Sequence, residues 1–463
     1  MVRVVRRWIF PAALAAGLSA NAGAEPVSVW RPTAPRSAPG AQLEGPSGRP
    51  LAPVVQVQAQ AQAEAPAPQA LGLDDLVRLA LERNPRLARA GFAVQGARGR
   101  ALQAGLYPNP TLQILGDELG DRTGTGGIWT APFFTQEIVT GNKLRLGRSA
   151  AEREVDQATL TLLGERTAVL SAVRRDYVEV LALQNRLALA DRLIHVAQQV
   201  VAATRARLQA KRASDLDLLQ AELELSRLQA EREAIQGELP AALRHLAASV
   251  GVPALPAGTL TGSLELPLPD YDLERTRAQV LGVHPELRSA QVGVERARLL
   301  LARAQAEPKP NVTVGVGYTR QNQNKSSDWG VHIDVPLPVW NRNQGGIQAA
   351  QAVLGEAVHE VARVENDLAD RLATAYRAYA AARQRAERYR STIIPKVREA
   401  FDLSMKTYQG GQFDYLRVLA AQKAVVTDTL EYNKALADAW KAAAEIASLA
   451  QEETWPPPPP PQK

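Results

Sequence analysis

The sequence predicts a mainly α-helical chain with a small transmembrane β part, and three observations carry that prediction. The first is a duplication. Residues 84–110 (NPRLARAGFAVQGARGRALQAGLYPNP) and 284–310 (HPELRSAQVGVERARLLLARAQAEPKP) share Pro85, Leu87, Ala90, Val94, Ala97, Arg98, Ala104, Pro108 and Pro110 at a constant offset of 200. Trp129 falls on Trp329, Leu216 on Leu416 and Leu219 on Leu419, so the copies are expected to keep step over almost their whole length. The second is an uninterrupted helical stretch. No proline falls between Phe133 and Leu239, and Val169, Val173, Tyr177, Val180 and Leu181 recur at three-and-four spacing. A helix from about Lys143 to Arg212 is then on the order of 100 Å long, too long for a compact domain and suited to a coiled-coil-like bundle or tube. The third is a set of alternating strands, described below.

Taken in order, residues 1–24 have a basic start (Arg3, Arg6, Arg7), an apolar run and small residues at Ala22 and Ala24, the pattern of a secretory signal peptide. Those three arginines make up half of the net charge of +6, so the rest of the chain is near neutral and no nucleic-acid partner is expected. Residues 25–70 form a Pro/Ala/Gln-rich leader expected to be disordered. The first structural repeat spans 71–262 and the second 263–455; residues 456–463 are a proline-rich tail, an extended and solvated end. There is no cysteine, and the five histidines show no ligand spacing, so neither a disulfide, a metal site nor a cofactor is expected.

Each repeat has the same plan. A short helix near Leu73 to Arg83 opens on Asp74 and Asp75, which suit the positive end of its dipole. Asn84 and Pro85 break it and start a second helix to about Leu106. Two strands follow. In the second repeat Val312, Val314, Val316 and Tyr318 share one face of a strand from Asn311 to Thr319; Trp329, Val331, Ile333, Val335 and Leu337 share one face of the next, with Gly330, His332 and Asp334 opposite. Lengths of about nine residues suit tilted bilayer-crossing strands, the polar face suits a watery lumen, and aromatics near the ends suit the membrane interfaces. The first-repeat strands (111–116 and 128–138) are less regular but carry Trp129, Phe133 and Phe134. Trp129, Phe133, Tyr318, Trp329 and Trp340 are the expected membrane-interface aromatics, and GDRTGTGG and RQNQNKSSD the expected polar loops.

The long helices come next. The second repeat's helix, from about Asn343 to Gly410, carries Pro395 where the first has His195, and a kink or break is expected there. Return helices run from about Asp215 to Val250 and Asp414 to Ala450, and residues 250–270 form a proline-rich connector. At the hairpin turns Ser214 or Asp215 can cap a return helix, and Gly410 with Gly411 offers a left-handed residue that ends one. The turns either serve only as caps or lie together at one end of a tube as a docking ring. The carboxylates are spread along helix faces and no phosphate loop or nucleophile elbow occurs, so no enzymatic activity and no catalytic residue is expected.

Four strands cannot close a barrel, since the smallest closed ones have about eight, and an open edge in lipid leaves unpaired backbone groups at several kcal/mol each. The chain is therefore expected to pool its strands with copies of itself. At this point residues 71–450 resemble the TolC-like outer-membrane efflux proteins, in the branch of the cobalt-zinc-cadmium systems. The resemblance rests on NPRLARA, AGLYPNPTL, TQEIVTGNK, HPELRSAQ, PLPVWNRNQGGI and YQGGQFDYLRVL.

The resemblance implies a homotrimer in the outer membrane, with a shared 12-stranded barrel in lipid and a large periplasmic tunnel of helical hairpins. It implies the exit duct of a tripartite pump, with a periplasmic adaptor and an inner-membrane transporter of the resistance-nodulation-division type as partners. The cargo it implies is divalent metal ions or other small toxic solutes, while the same duct architecture also serves drug efflux and type I protein secretion. A pore-less periplasmic coiled-coil protein is the rival reading; it leaves the alternating strands unexplained. The family's tip residues carry over onto Tyr408, Gly411, Leu416, Leu216 and Asp217. Where some members have two aspartates narrowing the mouth, this chain has Arg417 and Ala420. Asp215, Asp217, Asp414 and Arg417 are candidates for a polar lock, with Asp217 and Asp215 supplying acidic charge or Asp217 pairing with Arg417.

Overall fold

The computed structural model describes residues 71–119, 127–211, 213–255, 260–409 and 415–456. The signal peptide, the leader, most of GDRTGTGG, Gly410, Gly411, Asp414 and the tail beyond Pro456 lie outside the described residues. The first repeat builds α1 (Leu73–Arg83), α2 (Pro85–Ala104), β1 (Thr111–Asp117), β2 (Ile128–Ile138), α3 (Lys143–Gln209) and α4 (Asp215–Val250). The second builds α5 (Leu273–Val283), α6 (Pro285–Ala306), β3 (Val312–Gln321), β4 (Ser326–Asp334), α7 (Gln344–Arg388), α8 (Ile394–Gln409) and α9 (Tyr415–Leu449). No helix among the described residues is long and apolar enough to cross a membrane.

Local chemistry fixes the element ends. Asn84 closes α1 and caps α2, its side-chain oxygen accepting the Arg86 N–H at 2.9 Å, while Pro85 takes the first helical position, where a missing N–H is harmless. His284 does the same for α6 through its ring Nδ1, which accepts the Glu286 N–H at 3.3 Å. Gly251 ends α4 with φ of 90°, and a Cβ there would lie 2.6 Å from the Asn84 Cα, so only glycine permits this approach. Asn84 reinforces the contact by donating Nδ2 to the Ser249 carbonyl at 2.8 Å.

The strands form one antiparallel sheet in the order β1-β2-β3-β4. The two hairpins join through β2 and β3, which leaves β1 and β4 as open edges. Val314, Val316 and Tyr318 stand opposite Ile333, Val331 and Trp329 on one face; Gly315 and Gly317 stand opposite His332 and Gly330 on the other. The expected second-repeat loop is shorter than RQNQNKSSD, because Arg320 and Gln321 pair with Ser327 and Ser326 and leave only residues 322–325 as the turn. At its far end β4 stops at Asp334, short of Leu337, since Pro336 and Pro338 have no N–H to extend the ladder.

The offset between copies is not constant. Asn142 and Asn343 are equivalent left-handed residues that precede α3 and α7, with φ of 60° and 56°, and their carbonyls accept the N–H of Leu146 and Ile347 at 2.9 Å. The second copy therefore carries one extra residue between its strands and its long helix, and the offset returns to 200 where Asp215 and Tyr415 open the return helices. The long helix of the second copy is also interrupted. A π-helical segment, Tyr389–Ile393, separates α7 from α8 immediately before Pro395, whose missing N–H and ring disturb the preceding turn. The first copy runs straight through 67 residues.

The main core gathers where α1, α3, α4 and α9 meet, around Leu76, Val173, Val180, Leu246, Val250 and Ala435, all at most 1 % exposed. A second cluster joins α5, α6, α7 and α9 around Leu287, Leu368, Leu372 and Ile446. The connector between the copies is strapped onto these helices by buried side chains: Tyr177 donates to the Thr261 carbonyl, Tyr379 to the Pro269 carbonyl, and Trp440 Nε1 to the Leu264 carbonyl at 2.9 Å.

Candidate functional site

The ends of the two helical hairpins pack together. Val201 on α3 and Ala221 on α4 are buried, with Val200, Leu218, Leu225, Tyr408 and Leu419 against them, so the cluster draws on both hairpins. Arg207, in the last turn of α3, places its guanidinium 4.1 Å from the centroid of the Tyr408 ring on α8. Arg205 pairs with Glu222 at 2.8 Å across the first hairpin. Ser214 caps α4: its Oγ accepts the Asp217 N–H at 3.2 Å, and both its N–H and its hydroxyl donate to Asp217 Oδ2 at 2.8 Å. The Asp217 carboxylate is thus engaged in its own helix cap.

Asp215 is exposed in the first turn of α4, and Leu216 and Leu219 are 61 % and 63 % exposed. Leu416 lies in the first turn of α9, and Arg417 beside it is exposed. Thr204 and Gln422 are buried, and Thr204 Oγ1 and Gln220 Oε1 have no hydrogen-bond partner among the described residues. Arg207 was missing from the sequence reading; its signal was a cation in the last turn of a helix, a common placement that does not reveal a ring on another hairpin.

At the other end of the helices the sheet sorts its aromatics by face. Tyr318 and Trp329 are directly opposed, with ring centroids 5.5 Å apart. Trp129 pairs with Arg320 and lies on the same face, as does Phe134 opposite Val316. Phe133 does not. The register of β2 shifts between Thr130 and Phe133, where Pro132 cannot donate, and the extra residue inverts the alternation. Phe133 therefore lies on the glycine face, across Gly315 and Gly317, with its ring 6.4 Å from that of His332. Phe133, expected among the membrane-interface aromatics, thus lies on the face opposite that of Trp129, Tyr318 and Trp329. His332 Nε2 and Asp334 Oδ2 are 2.6 Å apart on that same face. Trp340 lies beyond β4 and is 89 % exposed.

Residues 76–252 and 277–450 each match the sequence profile of the family described as outer membrane efflux protein, one match per copy. The chain is 26 % identical over 376 residues to the cobalt-zinc-cadmium resistance protein CzcC of Cupriavidus metallidurans, covering 81 % of this chain and 89 % of that one. The fold is similar to the outer membrane protein VceC of Vibrio cholerae, with a TM-score of 0.66 at 20 % identity over 82 % of this chain and 95 % of VceC. It is equally similar to the open state of the MtrE outer membrane channel of Neisseria gonorrhoeae, with a TM-score of 0.66 at 18 % identity over 82 % and 88 % of the two chains.

Proposed function

The chain belongs to the outer membrane efflux protein family, and from that premise we propose that it is the exit duct of a tripartite pump. Three copies pool their four strands into one 12-stranded barrel in the outer membrane, and their hairpins form a tunnel in the periplasm. The observation that carries this reading is the sheet itself: one face is apolar and both edges are open, a combination that lipid tolerates only if other strands complete it.

The chemistry is transport, not catalysis. The tunnel is a passive conduit, closed at the hairpin tips and opened by a periplasmic adaptor that works with an inner-membrane transporter of the resistance-nodulation-division type. Arg207 over Tyr408 holds one hairpin to the other in the closed state, and the exposed Asp215 and Arg417 add polar contacts at the mouth, while Asp217 stays in the cap of α4. The π-helical segment before Pro395 lets α8 swing while the unbroken α3 stays in place, which gives gating a defined moving part.

The cargo is divalent metal ions, a reading supported by the similarity to a cobalt-zinc-cadmium resistance protein. The test is growth of a deletion strain on zinc, cobalt and cadmium against a panel of drugs. Metal sensitivity restored by the intact gene is the expected result. Sensitivity to drugs alone would reassign the cargo, and no phenotype on either panel would remove the efflux assignment.

A further inference from the structure

The two copies match in fold but not in charge. Residues 373–398, from the second half of α7 into the first turn of α8, carry seven cations and one acid, Glu387; the equivalent residues 172–197 of α3, at the offset of 201, carry four cations and three acids. All four cations in α3 have partners within the chain: Arg174 on the Glu452 carbonyl, Arg175 with Glu445 at 3.6 Å, Arg186 with Glu231 at 2.8 Å, and Arg192 on the Ala188 carbonyl. Of the seven in the second copy only Arg383 forms an ion pair among the described residues, with Asp270 at 2.5 Å. Arg385 and Arg388, three residues apart on one helix, repel each other. No acid of the chain offsets them.

The same stretch lines a groove. Between α7 and the connector lies a cleft of about 830 Å³ bordered by Tyr271, Tyr376 and Tyr379, with Gln384, Arg388 and Ser391 along the helix and the π-helical segment. It shares Arg383 and Glu387 with a second cavity of about 210 Å³, which adds Arg390 against connector residues 265–268. Arg388 and Arg390 are exposed and Tyr376 is half-buried. Tyr379 ties the connector to this face of α7 through the Pro269 carbonyl, and a tunnel whose bore stays open must carry such a strap on its outside. The groove therefore opens on the outer wall. At 1.5 Å per residue Arg388 stands roughly 65 Å along α7 from the end nearest the sheet.

We propose that this groove binds peptidoglycan, through one acidic sugar–peptide unit of that polymer. Tyrosine rings offer an apolar face to the C–H face of a sugar, Gln384 offers an amide, and Arg388 and Arg390 fork onto peptide carboxylates. The Ser391 hydroxyl donates to the Glu387 carbonyl at 2.7 Å, which leaves its oxygen free to accept. An anionic lipid headgroup has similar charge but lies at the membrane, out of reach by roughly 65 Å. The inference rests on reading the chain as a periplasmic duct: a tube on the order of 100 Å long hanging from the outer membrane passes through the polymer between the two membranes. Binding there gives the charge excess of the second copy a partner and holds the duct at a set height in the wall.

The test is co-sedimentation of the full-length protein, extracted in detergent from outer membranes, with purified peptidoglycan sacculi. The intact protein is expected to sediment with them, less so at high salt, and soluble muropeptides from digested sacculi are expected to compete. Arg388→Gln/Arg390→Gln is expected to weaken binding about ten-fold or more. Tyr376→Ala, which leaves the charge unchanged, is expected to weaken it as well, while Arg175→Gln, outside the groove, is expected to bind as the intact protein does. Full binding by the double variant or by Tyr376→Ala would overturn the groove, as would no binding by an intact protein whose mass is that of three protomers; the duct would then still stand. Loss of the trimeric mass in the double variant would reassign the groove to a contact between copies and overturn the proposal too. Sacculus binding by a monomer, lost in the double variant, would remove the duct and keep the groove.

Discussion

The guanidinium of Arg207 stands 4.1 Å over the ring of Tyr408, joining the last turn of the first copy's long helix to that of the second. A cation–π contact at a partly exposed site is worth about 0.5–1 kcal/mol. Removing it with Arg207→Ala is predicted to shift the closed–open balance of the tip two- to five-fold and to raise single-channel conductance or open time in planar bilayers. Arg207→Lys keeps the charge and is predicted to fall between. Unchanged recordings in both variants would dismiss the contact as part of the gate.

Gly317 leaves no room for a side chain: a Cβ there would lie 2.2 Å from Phe133 Cδ2. Gly317→Ala is predicted to destabilise the protein by about 1–3 kcal/mol through overpacking. Adding Phe133→Ala removes the obstruction, so the double variant is predicted to lose less than the sum of the two single variants in a denaturation cycle. Strict additivity would place the Phe133 ring elsewhere.

His284 caps α6 through an unprotonated Nδ1, and burial, followed by the opposing effect of Glu286 and the supporting charge of Arg371, holds its pKa below the usual histidine value. The unfolded chain therefore binds a proton first as pH falls. Its contribution to stability is full above the unfolded value of about 6.5 and is lost progressively as pH drops through that value toward the lower native one. His284→Asn, which copies the cap at Asn84, is predicted to flatten the pH dependence of the denaturation midpoint between pH values of about 8 and 5. An unchanged slope in that variant would assign the pH dependence to other groups.

Arg174 is 2 % exposed and forks onto the carbonyls of Glu452 and Glu453 at 3.1 and 2.6 Å, with its guanidinium 5.3 Å from the Trp455 ring centroid. Burial lowers its pKa, an effect opposed by Tyr271 and the two glutamates. Arg174→Met leaves two carbonyls without their donor and is predicted to cost about 2–4 kcal/mol. Limited proteolysis should then release the C-terminal segment first; uniform digestion would deny that Arg174 is its anchor.

Much of this was readable in the sequence, and the failures have definite causes. The span of α1 was legible because Asp74, Asp75 and the Asn84–Pro85 pair mark both of its ends, and Pro395 announced the interruption before α8. The face that Phe133 takes was not legible because alternation assumes an unbroken ladder, and the bulge at Pro132 adds the residue that turns it over. The contact of Arg207 with Tyr408 was invisible because it joins hairpins 201 positions apart in a register that slips between copies. Pattern reports the face a residue takes within its own element, and contacts between elements follow from packing that no local pattern encodes.

The central claim is that the four strands of one chain are completed by those of other copies. The measurement that tests it most directly is the mass of the complex extracted in detergent from outer membranes, corrected for bound detergent. Three protomers are predicted, matching a 12-stranded duct built from four strands each. A monomer or dimer recovered without detergent would contradict the account.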